Sequence, residues 1–156
     1  MRIGLGQDSH RFSNTNGLVF GGVTFANYLR LEGNSDGDTL IHSLCNALSS
    51  AIGGESLSTW ADDMCQKGIT DSREYLKYIF NLVSQKFTIN NISISVEAQT
   101  PRLTPTEKSA VKKSLSDILS IKIDQIGITY TSGQNLTAFG QKQGIQVFST
   151  VLLSEK

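Results

Sequence analysis

The spacing of the hydrophobic residues changes several times along this 156-residue chain, and those changes predict the order of its secondary structure. Apolar residues that alternate with polar ones are typical of a strand, and apolar residues that recur every three or four positions are typical of a helix. The predicted strands are Arg2–Gln7, Leu18–Phe25, Ile92–Glu97, Gln125–Thr131 and Ile145–Leu153, and the predicted helices are Ser35–Ile52, Asp71–Lys86 and a third that starts at Thr104. The resulting order, β-β-α-α-β-α-β-β, predicts one α+β domain over residues 1–156, in which three helices cover one face of a mixed sheet.

Local sequence signals predict where some of these elements begin and end. The first two strands are expected to pair across the turn-rich stretch 13–17, and Ser35 with Asp38 is expected to start the first helix as a capping box. Residues 55–70 show no periodicity, so we expect a long loop there. Loops of that length inside a small domain are usually functional or mobile, which makes this stretch a candidate lid.

The charge balance and the apolar content restrict the partners of the chain. Fourteen Lys and Arg residues match fourteen Asp and Glu residues, so the chain lacks the net basic field that attracts proteins to nucleic acid. No apolar run approaches the roughly 20 residues needed to span a bilayer. We therefore expect no nucleic-acid or membrane partner. Because no signal or transit pattern is visible, we expect a cytoplasmic protein with Cys45 and Cys65 reduced.

Three residues form a candidate metal site. Asp8 and His10 lie two residues apart at the end of a predicted strand, so their side chains project from the same face of it. His42 is the only other histidine, and it lies on the polar side of the first predicted helix. One carboxylate and two imidazoles suit zinc, and three protein ligands leave a fourth tetrahedral position open for a substrate. The alternative is that both histidines are ordinary hydrogen-bonded groups at the surface.

Two other segments are candidates for binding phosphate. The first, residues 34–38, precedes a predicted helix, whose free backbone N–H groups favour anions. Because Asp36 and Asp38 are acidic, a phosphate is expected near Asn34 and Ser35. The second, residues 129–134, runs from a strand into a hydroxyl-rich turn that contains glycine and is suited to hold phosphate oxygens. Each segment also has a purely structural interpretation, as a helix cap and as an ordinary turn.

Taken together and in chain order, these segments resemble the 2-C-methyl-D-erythritol 2,4-cyclodiphosphate synthases, the ring-closing enzymes of the non-mevalonate isoprenoid pathway. Residues 2–12 are similar to the family pattern RIGxGxDxHxF, and Ser35-Asp36-Gly37-Asp38 followed by His42 is similar to SDGDxxxH. Residues 98–103 are similar to AQxPKL, and the likeness continues through residues 131–144. The resemblance covers nearly the whole chain. It implies a homotrimer with an active site at each subunit interface.

The resemblance also implies a reaction and the residues that carry it. In this family the 2-phosphate of 4-diphosphocytidyl-2-C-methyl-D-erythritol 2-phosphate attacks the β-phosphorus, CMP leaves, and a cyclic diphosphate forms. Carried over position by position, Asp8, His10 and His42 would bind Zn²⁺ or another divalent cation, and Asn34 and Ser132 would occupy catalytic positions. The residues implied in substrate binding are Asp8, His10, Asn34, Ser35, Glu55, Asp62, Thr100, Pro101, Arg102, Leu103, Ser132, Gly133, Gln134 and Gln141.

Three of these positions depart from the family pattern. Asn34 stands where the family has a histidine. An amide side chain donates a hydrogen bond, but unlike an imidazole it neither accepts a proton nor carries a charge. Gln134 stands where a glutamate supports a second divalent cation, Mg²⁺ or Mn²⁺, and Gln141 replaces an arginine. An amide oxygen is a poorer ligand for a hard cation than a carboxylate, so we expect the second ion to bind weakly.

Two other functions stay open at the level of the sequence. The three candidate ligands would also suit a metal-dependent phosphohydrolase, provided that a water is positioned for attack. The changes at Asn34 and Gln134 are compatible with a trimeric protein that binds nucleotides or isoprenoid diphosphates without turning them over. The three possibilities differ in the phosphorus-containing product that each would release.

Overall fold

The computed structural model of the chain describes all 156 residues and contains one five-stranded sheet and four α-helices. The strands are β1 (Arg2–Phe20), β2 (Val23–Leu31), β3 (Phe87–Glu97), β4 (Ile126–Thr131) and β5 (Gly144–Glu155). The helices are α1 (Thr39–Ala51), α2 (Ser58–Gln66), α3 (Ser72–Ser84) and α4 (Pro105–Leu119). The predicted α+β class is confirmed, whereas the prediction of three helices is wrong by one. No helix has the length and apolar character that a membrane span requires.

The strands lie in the order β2-β1-β5-β3-β4, and only β3 and β4 run parallel to each other. A parallel pair needs a crossover connection, and α4 supplies it. Helix α1 packs against β1 and β5, and α3 packs against α1 and α4. The core lies between the sheet and these helices, so the opposite face of the sheet is left without a helix.

Two glycines let α1 lie directly on the backbone of β1. A Cβ atom on Gly4 would lie 1.9 Å from the carbonyl oxygen of Ala47, and one on Gly6 would lie 2.0 Å from that of Ser43. Any side chain at these positions would therefore push α1 away from the strand. The contact fixes the height of α1 above β1, and with it the position of every functional side chain that α1 carries.

The prediction for the N-terminal strands is wrong in its pairing. Strand β1 continues through residues 13–17, where register shifts relative to β2 accommodate the polar stretch. The hairpin turns instead at Gly21 and Gly22, whose φ angles are +62° and +77°. Tight hairpin turns require positive φ, which glycine adopts without steric cost. Residues 2–11 pair with β5 rather than with β2.

Residues 55–70, predicted to be a loop, contain α2. Four apolar residues of this stretch, Leu57, Trp60, Ala61 and Met64, follow helical spacing, and all four contact the hydrophobic core. Only Ala61 is fully buried, so the helix packs shallowly and its apolar pattern is short. The periodicity is present in the sequence, but it spans only two turns of helix.

Side-chain caps mark the starts of α1 and α4, although α1 begins later than predicted. The N-cap of helix α4 is Thr104, its predicted start, and Thr104 forms a capping box with Glu107. The predicted start at Ser35 is wrong, because Gly37 has a φ of +75° and α1 begins only at Thr39. Asp38 is the N-cap, and its carboxylate accepts hydrogen bonds from Ile41 N in the helix and from the backbone of the β1–β2 turn at 2.9 and 2.6 Å.

Candidate functional site

Three candidate metal ligands meet where β1 passes beside α1. The Oδ2 atom of Asp8 lies 2.9 Å from Nε2 of His10 and 3.1 Å from Nδ1 of His42. The two imidazole nitrogens are 3.3 Å apart. Asp8 and His10 share a face of β1 because this part of the strand pairs with β5 in unbroken register. The predicted cluster is confirmed, and its ligand atoms all lie within 4.8 Å of one another.

Hydrogen bonds on the outer side of each imidazole direct its inner nitrogen towards the cluster. Nδ1 of His10 bonds to the backbone carbonyl of Glu32, which only accepts, so this nitrogen carries the ring proton. Nε2 of His10 then faces Asp8 with a free lone pair when the ring is neutral. A histidine ligand is usually oriented in this way, by a hydrogen bond from its other nitrogen.

His42 is oriented by Ser72 and Asp36, two residues that the sequence did not indicate as part of the site. Ser72 Oγ lies 2.5 Å from Asp36 Oδ1 and 2.8 Å from Nε2 of His42. A carboxylate accepts only, so the Ser72 hydroxyl donates to Asp36 and its oxygen accepts the N–H of His42. Nδ1 of His42 is therefore the nitrogen with the free lone pair. The sequence placed Ser72 at the start of the helix predicted over Asp71–Lys86, but its contact with Asp36 depends on the fold.

The electrostatic state of Asp8 also suits a cation. Burial alone would raise the pKa of this carboxyl, but hydrogen bonds from the rings of His10 and His42, which form when the inner nitrogens carry a proton in place of a metal ion, lower the pKa to about 2. Asp8 is therefore ionised at neutral pH. A carboxylate and two correctly oriented imidazoles fit a tetrahedral divalent ion with one open position.

Replacing Ser72 with alanine is expected to weaken metal binding by about 10- to 100-fold, the usual effect of losing a group that orients a metal ligand. The variant removes the nearer acceptor of the His42 N–H and leaves only Ser35 Oγ, at 3.3 Å, so the orientation of the ring is held less firmly. Competition with a chromophoric chelator measures the zinc affinity directly. Ser84→Ala is the matched control, since Ser84 lies at the other end of α3 and its hydroxyl bonds only to the carbonyl of Asn81. Equal zinc affinity in the Ser72→Ala and Ser84→Ala proteins would contradict this role.

A cavity of about 170 Å³ opens beside the metal ligands, with α2 as its outer wall. The predicted substrate-binding residues Asn34, Ser35 and Asp62 line it together with both histidines. Ser35 Oγ lies 3.3 Å from Nε2 of His42, which places this hydroxyl next to the metal cluster. Glu55 lies apart from this cavity, in a neighbouring groove that includes Gln7 and Asn46.

A second cavity, of about 360 Å³, lies at the β4 edge of the sheet and is called the basic cavity below. Its lining is Ala98, Arg102, Leu103, Lys108, Tyr130, Thr131, Ser132 and Gln134. The sequence predicted four of these, namely Arg102, Leu103, Ser132 and Gln134. They meet because β3 and β4 are parallel neighbours, so the segments that follow both strands leave the same end of the sheet.

The remaining predicted residues lie near the basic cavity or outside it. Pro101 and Gly133 are chain neighbours of lining residues without lining the cavity themselves, and Thr100 lies two residues from both Ala98 and Arg102. Gln141 is exposed, and its side-chain amide donates to the carbonyl of Asn135. Sequence reasoning missed Lys108, because the approach of α4 to β4 is a tertiary contact with no local signal. Tyr130 lies within residues 129–134, which the sequence predicted to hold phosphate oxygens, but it was not singled out there.

The two cavities lie at the same end of the sheet but at different strands. Asp8 pairs with Val147, which pairs with Val96, which in turn pairs with Tyr130. Three interstrand spacings separate the ends of this row, a distance of about 14 Å. One chain therefore presents the candidate metal ligands, called the metal half below, and a basic half, and the two do not merge.

Comparison with known sequences gives consistent matches along the whole chain. The model of the YgbB family matches residues 1–154. The 2-C-methyl-D-erythritol 2,4-cyclodiphosphate synthase of Chlamydia muridarum is 40% identical, over 99% of this chain and 88% of its own length. The enzyme of the same name from Chlamydia caviae is 37% identical, over 99% of this chain and 89% of its own length.

Comparison with solved structures gives the same fold. IspF from Plasmodium falciparum, solved as a CDP complex, matches with a TM-score of 0.87 and 28% identity over 99% of this chain and 96% of its own. The bifunctional IspDF from Campylobacter jejuni matches with a TM-score of 0.90 and 31% identity over 99% of this chain. The chain spans 42% of that bifunctional protein. The matched regions include the metal ligands and the basic cavity.

Proposed function

Because the chain belongs to the YgbB family, we propose that it converts 4-diphosphocytidyl-2-C-methyl-D-erythritol 2-phosphate into 2-C-methyl-D-erythritol 2,4-cyclodiphosphate and CMP. The observation that carries the proposal is the presence of a three-ligand metal cluster and a basic cavity at one end of the same sheet. Relatives at 37–40% identity are named for this activity, and the IspF of Plasmodium falciparum was solved with CDP. The reaction class is a phosphorus–oxygen lyase that closes a ring.

The chemistry explains why cationic groups are needed. A bond forms between an oxygen of the 2-phosphate and the β-phosphorus, and the bond from the β-phosphorus to the CMP oxygen breaks. Two like charges 4 Å apart repel by about 1 kcal/mol in water, and by several times more in a partly dry site. Because the attack is intramolecular, positioning and charge neutralisation account for most of the catalysis.

Each part of the site has a role in this proposal. Asp8, His10 and His42 would hold a zinc or similar divalent ion, which when bound supplies Lewis-acid polarisation of a phosphate oxygen. Ser35 and Asn34 present a hydroxyl and an amide to the substrate beside these ligands. Arg102, Ser132 and their neighbours in the basic cavity bind the diphosphocytidyl portion.

A homotrimer is part of the proposal, because the two halves of the site lie apart within one chain. Gly4 and Gly6 face α1, so Ile3 and Leu5 project from the opposite face of the sheet, where they are 71% and 61% exposed. Phe148 lies on the same face and is 41% exposed. An apolar sheet face of this kind is typical of a protein interface. It supports a ring in which the metal half of one subunit meets the basic half of the next, and light scattering on the purified protein measures the subunit number.

The test of the function is product analysis after incubation with the diphosphocytidyl substrate, zinc and magnesium. Cyclic diphosphate together with CMP, identified by phosphorus NMR, is the expected result. An open-chain phosphate would instead identify a metal-dependent phosphohydrolase. Tight binding of the substrate with no product would identify a binding protein that has kept the fold.

Activity is expected to respond only weakly to Mg²⁺ or Mn²⁺, since Gln134 offers a neutral amide in the basic cavity. The substitution Gln134→Glu is expected to strengthen magnesium binding by about tenfold, because affinity for hard cations follows the charge of the ligands. Titration of activity with magnesium gives the apparent affinity of each protein. Gln143→Glu adds the same charge on an exposed residue outside the cavity and serves as the control. Equal magnesium affinity in the wild-type and Gln134→Glu proteins would rule out this interpretation.

A further inference from the structure

Two polar groups of the basic cavity, the ammonium of Lys108 and the hydroxyl of Tyr130, form no hydrogen bond or ion pair within the chain. Lys108 lies in the second turn of α4, and its Nζ atom is 4.9 Å from the centre of the Tyr130 ring. It takes part in none of the ion pairs of the structure. The Oη atom of Tyr130 is buried and has no hydrogen-bond partner. Both residues line the cavity, so a molecule bound there would meet both.

The Tyr130 hydroxyl can donate a hydrogen bond, but it has no acceptor within the chain. Burial raises the pKa of this phenol, and the negative charge of Glu107 raises it further, so the group keeps its proton at neutral pH. A buried hydroxyl without a partner destabilises the free protein, and a bound acceptor removes that cost. Native structures rarely leave such groups unpaired outside functional sites.

The charge of Lys108 is likewise not neutralised by its surroundings. The adjacent acidic residue, Glu107, is already engaged, because its carboxylate accepts hydrogen bonds from Thr104 N and from the hydroxyl of Tyr28. Among the eight lining residues two are basic, Arg102 and Lys108, and none is acidic. The cavity therefore suits an anionic ligand with exposed acceptor oxygens.

We propose that Lys108 and Tyr130 bind the diphosphate of the cytidine nucleotide, Lys108 through its ammonium group and Tyr130 through its hydroxyl. The inference rests on the proposed function and adds two residues that neither the family pattern nor the comparisons assign. Gln134 lines the same cavity and carries no charge. Lys108 thus supplies positive charge at the place where the family resemblance implies a carboxylate-bound divalent cation.

Calorimetric titration of the zinc-loaded protein with CDP, in buffer without magnesium, tests this assignment. Lys108→Ala is expected to weaken CDP binding by about tenfold or more, the effect of losing one charge-assisted hydrogen bond. Added salt should weaken CDP binding to the wild-type protein more than to this variant, since the ionic contribution is missing from the variant. Lys112→Ala, one turn further along α4 and outside the cavity, is expected to bind CDP within about twofold of the wild-type value.

Tyr130→Phe separates a binding role from a structural one. The variant removes only the unpartnered hydroxyl, so its thermal midpoint should equal or exceed that of the wild-type protein. Its CDP affinity should nevertheless fall by about fivefold. A lower midpoint with unchanged CDP affinity would show that the hydroxyl serves the fold and would overturn its assignment.

CDP binding by the wild-type and Lys108→Ala proteins distinguishes a failure of the proposed function from a failure of the role assigned to Lys108. If the wild-type protein does not bind CDP, the proposed function is overturned together with this inference. If the wild-type protein binds CDP and Lys108→Ala binds it equally well, the proposed function stands and the role of Lys108 is overturned. The Lys112→Ala control shows whether a loss of affinity reflects the cavity or only the net charge of α4.

Discussion

Replacing His42 with alanine is expected to remove the bound metal and to lower kcat/KM for cyclisation by about a thousandfold or more. His42 is 6% exposed and supplies one of the two imidazole nitrogens of the cluster, so its loss leaves only Asp8 and His10. Lewis-acid activation by a metal contributes several kcal/mol to a reaction of this type, and each 1.36 kcal/mol corresponds to a factor of ten in rate. Metal analysis of the purified variant and steady-state kinetics measure the two effects separately.

Because His42 is buried in α1, a loss of folding must be distinguished from a loss of metal. Circular dichroism reports on the fold, and His10→Ala removes the less buried imidazole with less risk to the core. Ser9→Ala is the matched control, since Ser9 lies between two ligands on β1 and projects from the other face of the strand. A folded His42→Ala protein with full metal content and full activity would refute the metal site.

The substitution Gly6→Ala is expected to lower the free energy of unfolding by about 3 kcal/mol or more, at the upper end of the effects of overpacking. The added Cβ would lie 2.0 Å from the carbonyl oxygen of Ser43 and 2.4 Å from the backbone nitrogen of Ala47. Both contacts are with helix backbone, so α1 has to move away from β1. Since α1 carries His42 while β1 carries Asp8 and His10, the metal affinity should fall as well.

Urea unfolding and zinc titration of the Gly6→Ala protein measure these two consequences. Gly127→Ala is a suitable control, because the nearest atom to its added Cβ would be 3.8 Å away, an ordinary contact. We expect its stability to stay within about 0.5 kcal/mol of the wild-type value. If the Gly6→Ala protein had the same stability and zinc affinity as the wild-type protein, the close approach of α1 to β1 would not be what positions the site.

The fold could be predicted wherever a pattern is both local and long. Helices α3 and α4 repeat their apolar spacing over several periods, and both begin close to their predicted starts. Strand β3 ends at Glu97 as predicted but begins at Phe87, five residues before its predicted start at Ile92. Helix α2 has two turns and one fully buried residue, so its pattern was too short to distinguish it from a loop. The prediction of the first hairpin was wrong for another reason. Two stretches had turn-like composition, and the chain turns at the two consecutive positive-φ residues Gly21 and Gly22, whereas Gly17 is the only positive-φ residue of the stretch 13–17.

The site could be predicted to the extent that its residues follow local geometry. The alternation of β1 brings Asp8 and His10 to one face, and the polar side of α1 carries His42. The orienting pair Asp36 and Ser72 depends on the start of α3 lying against the segment before α1, a contact over 36 residues. Lys108 depends in the same way on the packing of α4 against β4, which no spacing in the sequence encodes.

The division of the candidate metal ligands between β1 and α1 would make a bound ion a cross-link between strand and helix as well as a Lewis acid. A ligand that binds only the folded state stabilises it by RT ln(1 + [L]/Kd), which is about 2.7 kcal/mol at a free concentration 100 times Kd. The strand and helix that such an ion would join are also those that Gly4 and Gly6 hold in contact. Metal supply and folding are thereby linked, so the melting temperature of the protein should rise with the concentration of free zinc. If the ion is zinc, as proposed, removal of zinc would weaken the fold as well as take away the Lewis acid.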